Sequence, residues 1–174
     1  MVRDHPCVGQ KREVVRLSRE FETLQTIEAS MSLKKSQIEN FLSKQEVNFR
    51  PIIATETERL KKQWLLSYAA RVKKETGVWI HNRFRWHGFS YGLQTAVTGA
   101  DALSDYRRQW QAPYVIFDEE GTWAYSCTSE KYPDLTSLRA DIYVAHHNMK
   151  WTMIFTHEQP DIGPYLALKS KNST

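Results

Sequence analysis

Residues 113–128 (PYVIFDEEGTWAYSCT) and 141–157 (DIYVAHHNMKWTMIFTH) decide the fold of this chain. Each stretch consists of two runs rich in β-branched and aromatic residues, separated by a short polar turn at 119–121 and at 148–150. This composition is typical of β-hairpins. The sequence therefore predicts two consecutive hairpins, which form an antiparallel platform on which helices can pack.

Helical periodicity dominates the part of the chain before the hairpins. Apolar residues recur every three or four positions over 33–42 and over 60–72, and Gly77 is expected to end the second of these helices. Thr55 and Glu58 have the spacing of a capping box, which predicts Thr55 as the N-cap. The sequence thus predicts amphipathic helices upstream of the sheet.

The remaining segments give weaker patterns. Residues 47–53 contain a proline and are expected to form an edge strand or a connector. Residues 98–110 are expected to form a third helix with Thr98 as its cap. The alternation over 83–91 predicts a strand, whereas Gly163 and its following proline are expected to keep 159–165 out of the sheet. These elements predict an α+β fold, with N-terminal helices packed on one face of a mostly antiparallel sheet of four to six strands.

Length and composition predict a single folded domain. The chain has 174 residues, of which 41% are hydrophobic, enough to bury a core without staples. A helix begins soon after Met31, so we expect the domain to span 31–168, preceded by an extension over 1–30. Residues 169–174 are expected to fray.

Composition also restricts the class of protein. No apolar run approaches the ~20 residues of a membrane span, and the first thirty residues lack the apolar stretch of a secretory signal. We therefore expect a cytoplasmic protein with no membrane partner. Of the two cysteines, Cys7 and Cys127, the latter lies in a predicted strand and is expected to pack as a small buried residue, not to act as a nucleophile.

The positive charge lies in the helical half of the chain. The net charge is +4, and residues 1–75 contain 15 Lys and Arg against 10 Asp and Glu. A basic helix, with Arg83 and Arg85 interleaved among aromatic residues, could bind nucleic acid. A solvated helix face and a half-buried strand explain the same pattern, so nucleic acid is not the favoured partner.

No motif of a known chemistry is present in the sequence. A metal-assisted hydrolase or nuclease would need His87, His157 and Glu158 to converge, since imidazole and carboxylate groups are suitable metal ligands. His146 and His147 are adjacent in a predicted strand and should point to opposite faces. We predict no catalytic residue, no metal site and no cofactor.

Six short motifs follow one another along the chain: WHGFSY at 86–91, PYVIF at 113–117, DIYV at 141–144, WT at 151–152, THE at 156–158 and GPY at 163–165. In this order and spacing they resemble a small uncharacterised bacterial family found mainly in Bacillus-type Firmicutes. The resemblance covers 31–168 and implies the fold and the bacterial origin, but it transfers no catalytic residue. The family has an acidic residue in place of His146 or His147.

The favoured function is a non-catalytic protein-binding module that resembles an immunity protein or an antitoxin, with another protein as its partner. This hypothesis predicts a contiguous exposed aromatic patch that includes Trp79, Trp86, Tyr91 or Tyr165. The polar segment 156–158 and the irregular backbone after it are expected to contribute to the same surface. The predicted binding residues are Trp86, His87, Tyr91, His157, Glu158 and Tyr165.

Overall fold

The structure is a computed structural model that describes residues 33–169. Its helices are α1 Lys35–Lys44, α2 Ala54–Tyr68, α3 Ala70–Thr76, α4 His87–Ser90 and α5 Gly99–Arg107, with a 3-10 turn at Thr136–Leu138. Its strands are β1 Asn48–Pro51, β2 Val97–Thr98, β3 Tyr114–Asp118, β4 Ala124–Thr128, β5 Ile142–His146, β6 Trp151–Phe155 and β7 Tyr165–Leu168. The expected extension at 1–30 and most of the expected frayed tail lie outside the described residues, so both stay predictions.

All seven strands form one antiparallel sheet in the order β1-β4-β3-β5-β6-β7-β2. The α+β class and both hairpins are confirmed, and the segment with Pro51 is the expected edge strand. The sheet is larger than four to six strands because β2 and β7 were not predicted. The irregular path through Gly163 ends at Pro164, and the chain from Tyr165 onward pairs with β6.

The helices cover both faces of the sheet, so the prediction that they pack on one face is wrong. Ile116 packs in a core with residues of α1 and α5, whereas the adjacent Phe117 packs with residues of α2. Neighbouring strand residues point to opposite faces, and every residue of β5 and β6 is buried. A strand buried on both sides needs a cover on both sides.

Trp64 fixes α2 to the centre of the sheet. Its ring lies edge-on to Tyr143 of β5 at a centroid distance of 5.0 Å, and its Nε1 donates a hydrogen bond of 2.9 Å to the hydroxyl of Thr152 on β6. A buried indole is tolerated when its N–H has such a partner. This contact places α2 across the same strands that end at the candidate sites below.

The ends of α2 and α3 differ in part from the prediction. The helix begins at Ala54 after an extended Ile53, so Thr55 is not its cap, and the carboxylate of Glu58 pairs with Lys61 instead. The periodic stretch is divided at Ala69, whose backbone departs from helical geometry. Gly77 ends α3 as predicted, in the left-handed conformation that glycine adopts most readily.

The predicted strand over 83–91 is wrong. This segment is a tight turn followed by the short helix α4, and Arg83 has a positive φ of 82°. The cause is a long-range contact: the main-chain N–H of Arg85 donates to the carboxylate of Glu119 in the turn after β3. Tertiary contact has overridden a local alternation.

A further sequence expectation agrees with the structure, because Cys127 is buried in the core. Helix α5 follows Thr98 but ends at Arg107, before the predicted boundary at 110, and the Thr98 side chain makes no capping bond. None of the helices in the described part of the chain has the length and apolarity needed to span a membrane.

Candidate functional site

Four of the six predicted binding residues lie in a connected group of rings. The ring of His87 lies 4.1 Å from that of Trp86 and 5.4 Å from that of Tyr91, measured between centroids, and Trp86 lies 5.9 Å from His157. We call Trp86, His87, Tyr91 and His157 the aromatic–histidine cluster. Helix α4 and the end of β6 bring these side chains together.

The aromatic–histidine cluster does not form the exposed patch that the binding hypothesis required. Trp86 is 1% exposed and Tyr165 is 8% exposed, and the Tyr165 ring stacks on Phe89 inside the core. Trp79 is half-buried, and Tyr91 is 56% exposed. An aromatic docking surface centred on Trp86 and Tyr165 is therefore excluded by their burial.

His157 is fixed by Asp141, a residue that the sequence did not point to. Its Nδ1 lies 2.9 Å from both carboxylate oxygens of Asp141, and its main-chain N–H donates to the same carboxylate at 3.0 Å. Its Nε2 lies 3.6 Å from the carboxylate of Glu158. Because Asp141 precedes β5 and His157 follows β6, this contact closes the open end of the second hairpin.

The hydrolase alternative required three ligands at one point. No three His, Cys, Asp or Glu side chains within residues 33–169 are placed so that they could hold a metal ion. His146 and His147 do meet, with stacked rings at 4.4 Å, because the chain turns after His146, so the expectation that they point apart is wrong. Burial and the nearby charges lower the pKa of His146, which favours its neutral form.

Arg85 lies in a buried ion pair. Its guanidinium is 2.7 Å from Glu119 Oε1, and both side chains are almost fully buried. The hydroxyl of Tyr143 donates to the other carboxylate oxygen. Burial raises the pKa of Glu119 to about 7, against the opposing effect of the Arg85 charge. Arg85 is thus occupied inside the protein and cannot bind a phosphate as the nucleic-acid alternative requires.

A groove runs along the edge of β7 that faces away from β6. It has a volume of about 620 Å³ and runs between the end of α2, the start of α3, the segment before β2 and β7 itself. We call it the β7 groove. Its lining residues are Ser67, Ala70, Arg71, Gln94, Thr95, Ala96, Val97, Leu166, Leu168 and Lys169.

The β7 groove opens because β2 is too short to cover β7. The two strands pair only at Val97 with Leu166 and at Thr98 with Tyr165. Before Val97 the chain leaves the sheet, and the main-chain N–H of Gln94 donates instead to the carbonyl of Gly88 in α4. The last part of β7 therefore has a strand on its β6 side and a groove on its other side.

The alternation of an antiparallel ladder fixes which main-chain groups face the groove. The N–H of Lys169 donates to the carbonyl of Lys150, so Lys169 points toward β6. The N–H and C=O of the preceding residue, Leu168, must then point the other way. Thr95 would be their partner if β2 continued, but the pairing stops at Val97. Leu168 thus offers one donor and one acceptor to the groove.

The walls of the β7 groove combine apolar and cationic side chains. Leu168 is 64% exposed and Val97 is 40% exposed. The groove is lined by Arg71 on the helix side and Lys169 on the strand side, and no carboxylate of residues 33–169 lines it. None of its lining residues was predicted, because the groove depends on where β2 stops pairing, which has no local sequence signal. Tyr165 is the predicted residue that lies on the same strand.

The comparisons with known proteins identify a family and no relative. Residues 36–166 match the family model described as a domain of unknown function, DUF4275. The comparison with curated proteins gives no match, and neither does the comparison with solved structures.

Proposed function

The chain belongs to the DUF4275 family, a domain of unknown function, and we propose from the geometry that it is a protein-binding module whose β7 groove binds an extended segment of another protein. The observation that carries this proposal is the outward-facing N–H and C=O of Leu168 on a strand that has lost its outer neighbour. In the complex, the segment continues the line of β2 and bonds to Leu168.

Strand addition of this kind is a known mode of peptide recognition. Main-chain hydrogen bonds along a sheet edge provide affinity, and alternate side chains of the added strand enter pockets that provide specificity. The β7 groove offers such a pocket beside the edge, and the exposed Leu168 and Val97 side chains provide apolar contacts. An exposed strand edge is otherwise a liability that proteins cover or charge.

The proposal keeps the function favoured from the sequence, a protein-binding module, but places the binding site in the β7 groove. The sequence predicts binding at Trp86, His87, Tyr91, His157, Glu158 and Tyr165, of which Trp86 and Tyr165 are buried. The proposed module blocks its partner by holding a segment that the partner needs, as immunity proteins and antitoxins do. This regulatory role is supported by analogy with other small binding domains.

The test first selects peptides that bind and then removes the main-chain N–H of Leu168, the donor that faces the groove. A library of random twelve-residue segments displayed on phage is selected on the immobilised protein, and the enriched peptides are titrated by fluorescence anisotropy. Leu168→Pro removes the N–H that faces the groove but leaves the β6 ladder intact, whereas Leu168→Ala keeps the N–H and removes only the side chain. We expect Leu168→Pro to weaken binding at least tenfold more than Leu168→Ala does.

Thermal unfolding of both variants checks that they are folded. Equal binding by Leu168→Pro and Leu168→Ala would show that the main-chain edge is not used, and a selection without enrichment would contradict the proposal as a whole.

A further inference from the structure

We infer that the segment bound in the β7 groove is acidic, with an Asp or Glu carboxylate that pairs with Arg71 and Lys169 beside an apolar residue that contacts Leu168. This inference rests on the proposed function and deepens it by stating the chemistry of the partner. It follows from the charges of the groove walls and from the bonds that those charges already make.

Arg71 keeps part of its guanidinium free for a ligand. Glu75, one helical turn further along, bonds to its Nε at 2.6 Å. The two terminal nitrogens of Arg71 have no partner among residues 33–169, and the side chain is 54% exposed. A planar guanidinium with two free terminal nitrogens matches the two oxygens of a carboxylate.

Lys169 supplies the second positive charge from the other wall. Its main chain is held by the bond to Lys150, and its ammonium group has no ion-pair partner in the described part of the chain. Arg71 and Lys169 belong to different elements, α3 and the end of β7, and both line the β7 groove. Among residues 33–169 no carboxylate lines the groove, so a segment bound there meets the ammonium group of Lys169 and the terminal nitrogens of Arg71, whose partner Glu75 lies outside the lining.

The apolar part of the groove argues for a peptide and not for a nucleic-acid backbone. Ala70, Ala96, Val97, Leu166 and Leu168 make up half of the lining residues. A sugar–phosphate backbone carries a charged phosphate at every repeat, whereas an extended peptide alternates its side chains between the walls and solvent and can place an apolar one against the groove. In an extended peptide, an acidic residue two positions from an apolar one points to the same side, so both side chains can contact the groove, one at its cationic residues and one at its apolar residues.

The experiment compares three forms of the protein against the same phage library of random twelve-residue segments. They are the wild type, the double variant Arg71→Gln/Lys169→Gln, and the control Lys44→Gln/Lys131→Gln. The control removes the same charge at exposed positions on the half of the sheet that contains β1 and β4. A single-stranded twelve-nucleotide DNA is titrated alongside the enriched peptides, and each titration is repeated between 50 and 500 mM NaCl.

We expect the wild type and the control to enrich peptides with Asp or Glu beside Leu, Ile or Val, and the groove variant to bind these peptides at least tenfold more weakly. Binding should also weaken as salt is added, since exposed ion pairs are screened.

Each remaining outcome contradicts the inference, and the outcomes can be told apart. Enriched peptides that are neutral or basic, or that bind the groove variant as well as the wild type, would refute the acidic partner and leave the proposed function standing. If the DNA bound more tightly than the enriched peptides, the inferred partner would be a nucleic acid and not a peptide. If no enriched peptide needed Leu168 for binding, the proposed function itself would be refuted. A concentration-dependent dimer that Leu168→Pro abolishes would show that a second copy of the chain occupies the groove.

Discussion

Glu119→Gln should change the way in which the stability of this protein depends on pH. Glu119 lies in a buried group with Arg85 and Tyr143, where its carboxylate accepts hydrogen bonds from the Arg85 main chain, the Arg85 guanidinium and the Tyr143 hydroxyl. Glutamine has nearly the same shape and keeps one of the two acceptor oxygens, but it cannot titrate. The substitution therefore isolates the effect of one ionisation.

The expected size follows from the pKa of Glu119 in the folded and unfolded chain. Burial raises the pKa from 4.5 to about 7, although the nearby Arg85 charge opposes the shift. A raised folded-state pKa means that the folded protein holds the proton more tightly than the unfolded chain does. The stabilisation is fully present below pH 4.5 and is lost as the pH rises through 7, by about 3 kcal/mol in total.

The assay is urea unfolding followed by tryptophan fluorescence at half-unit steps from pH 4.5 to 8. We expect the free energy of unfolding of Glu119→Gln, minus that of the wild type, to rise by about 3 kcal/mol across this range. Glu120→Gln is the matched control, because Glu120 is the next residue and its side chain is exposed. The reasoning is refuted if Glu119→Gln and Glu120→Gln give curves parallel to the wild type.

Three further outcomes test the packing. Burial raises the pKa of the Cys127 thiol to about 12, so iodoacetamide at pH 8 should label it only in urea; rapid labelling of Cys127 in the native protein, counted separately from Cys7 by peptide mass spectrometry, would contradict its burial. Gly88→Ala places a Cβ 2.8 Å from Val72 Cγ2 and should lower the free energy of unfolding by about 1–3 kcal/mol, which an unchanged urea midpoint would disprove. Trp64→Phe removes the donor to Thr152 and should lower the free energy of unfolding by about 1 kcal/mol or more. A change near zero would contradict this expectation.

The parts of the fold that sequence predicts are those that local patterns determine. The two hairpins follow from β-branched and aromatic runs around polar turns, and Gly77 ends its helix because of its conformational freedom. The two covered faces could also have been recognised, because residues 142–146 and 151–155 are apolar without clear alternation, as strands buried on both sides are.

The parts that sequence did not predict depend on distant partners. Arg85 looks like an exposed cation of an alternating strand, but its partner Glu119 is 34 positions away in a turn that looks solvent-exposed. Asp141 holds His157 across 16 positions in the same way. The β7 groove is the extreme case, because it exists where a strand fails to continue, and no residue type marks that point.

The order of strands implies an order of events during folding. The four central strands come from one continuous stretch, 114–155, whereas the two outermost strands, β1 and β2, come from earlier in the chain. Asn48 must find Thr128, 80 positions later, before β1 can pair. Closing such long loops is entropically costly until the central hairpins offer a template. The rims of the sheet should therefore assemble last and, under mild denaturant, exchange their amide protons first.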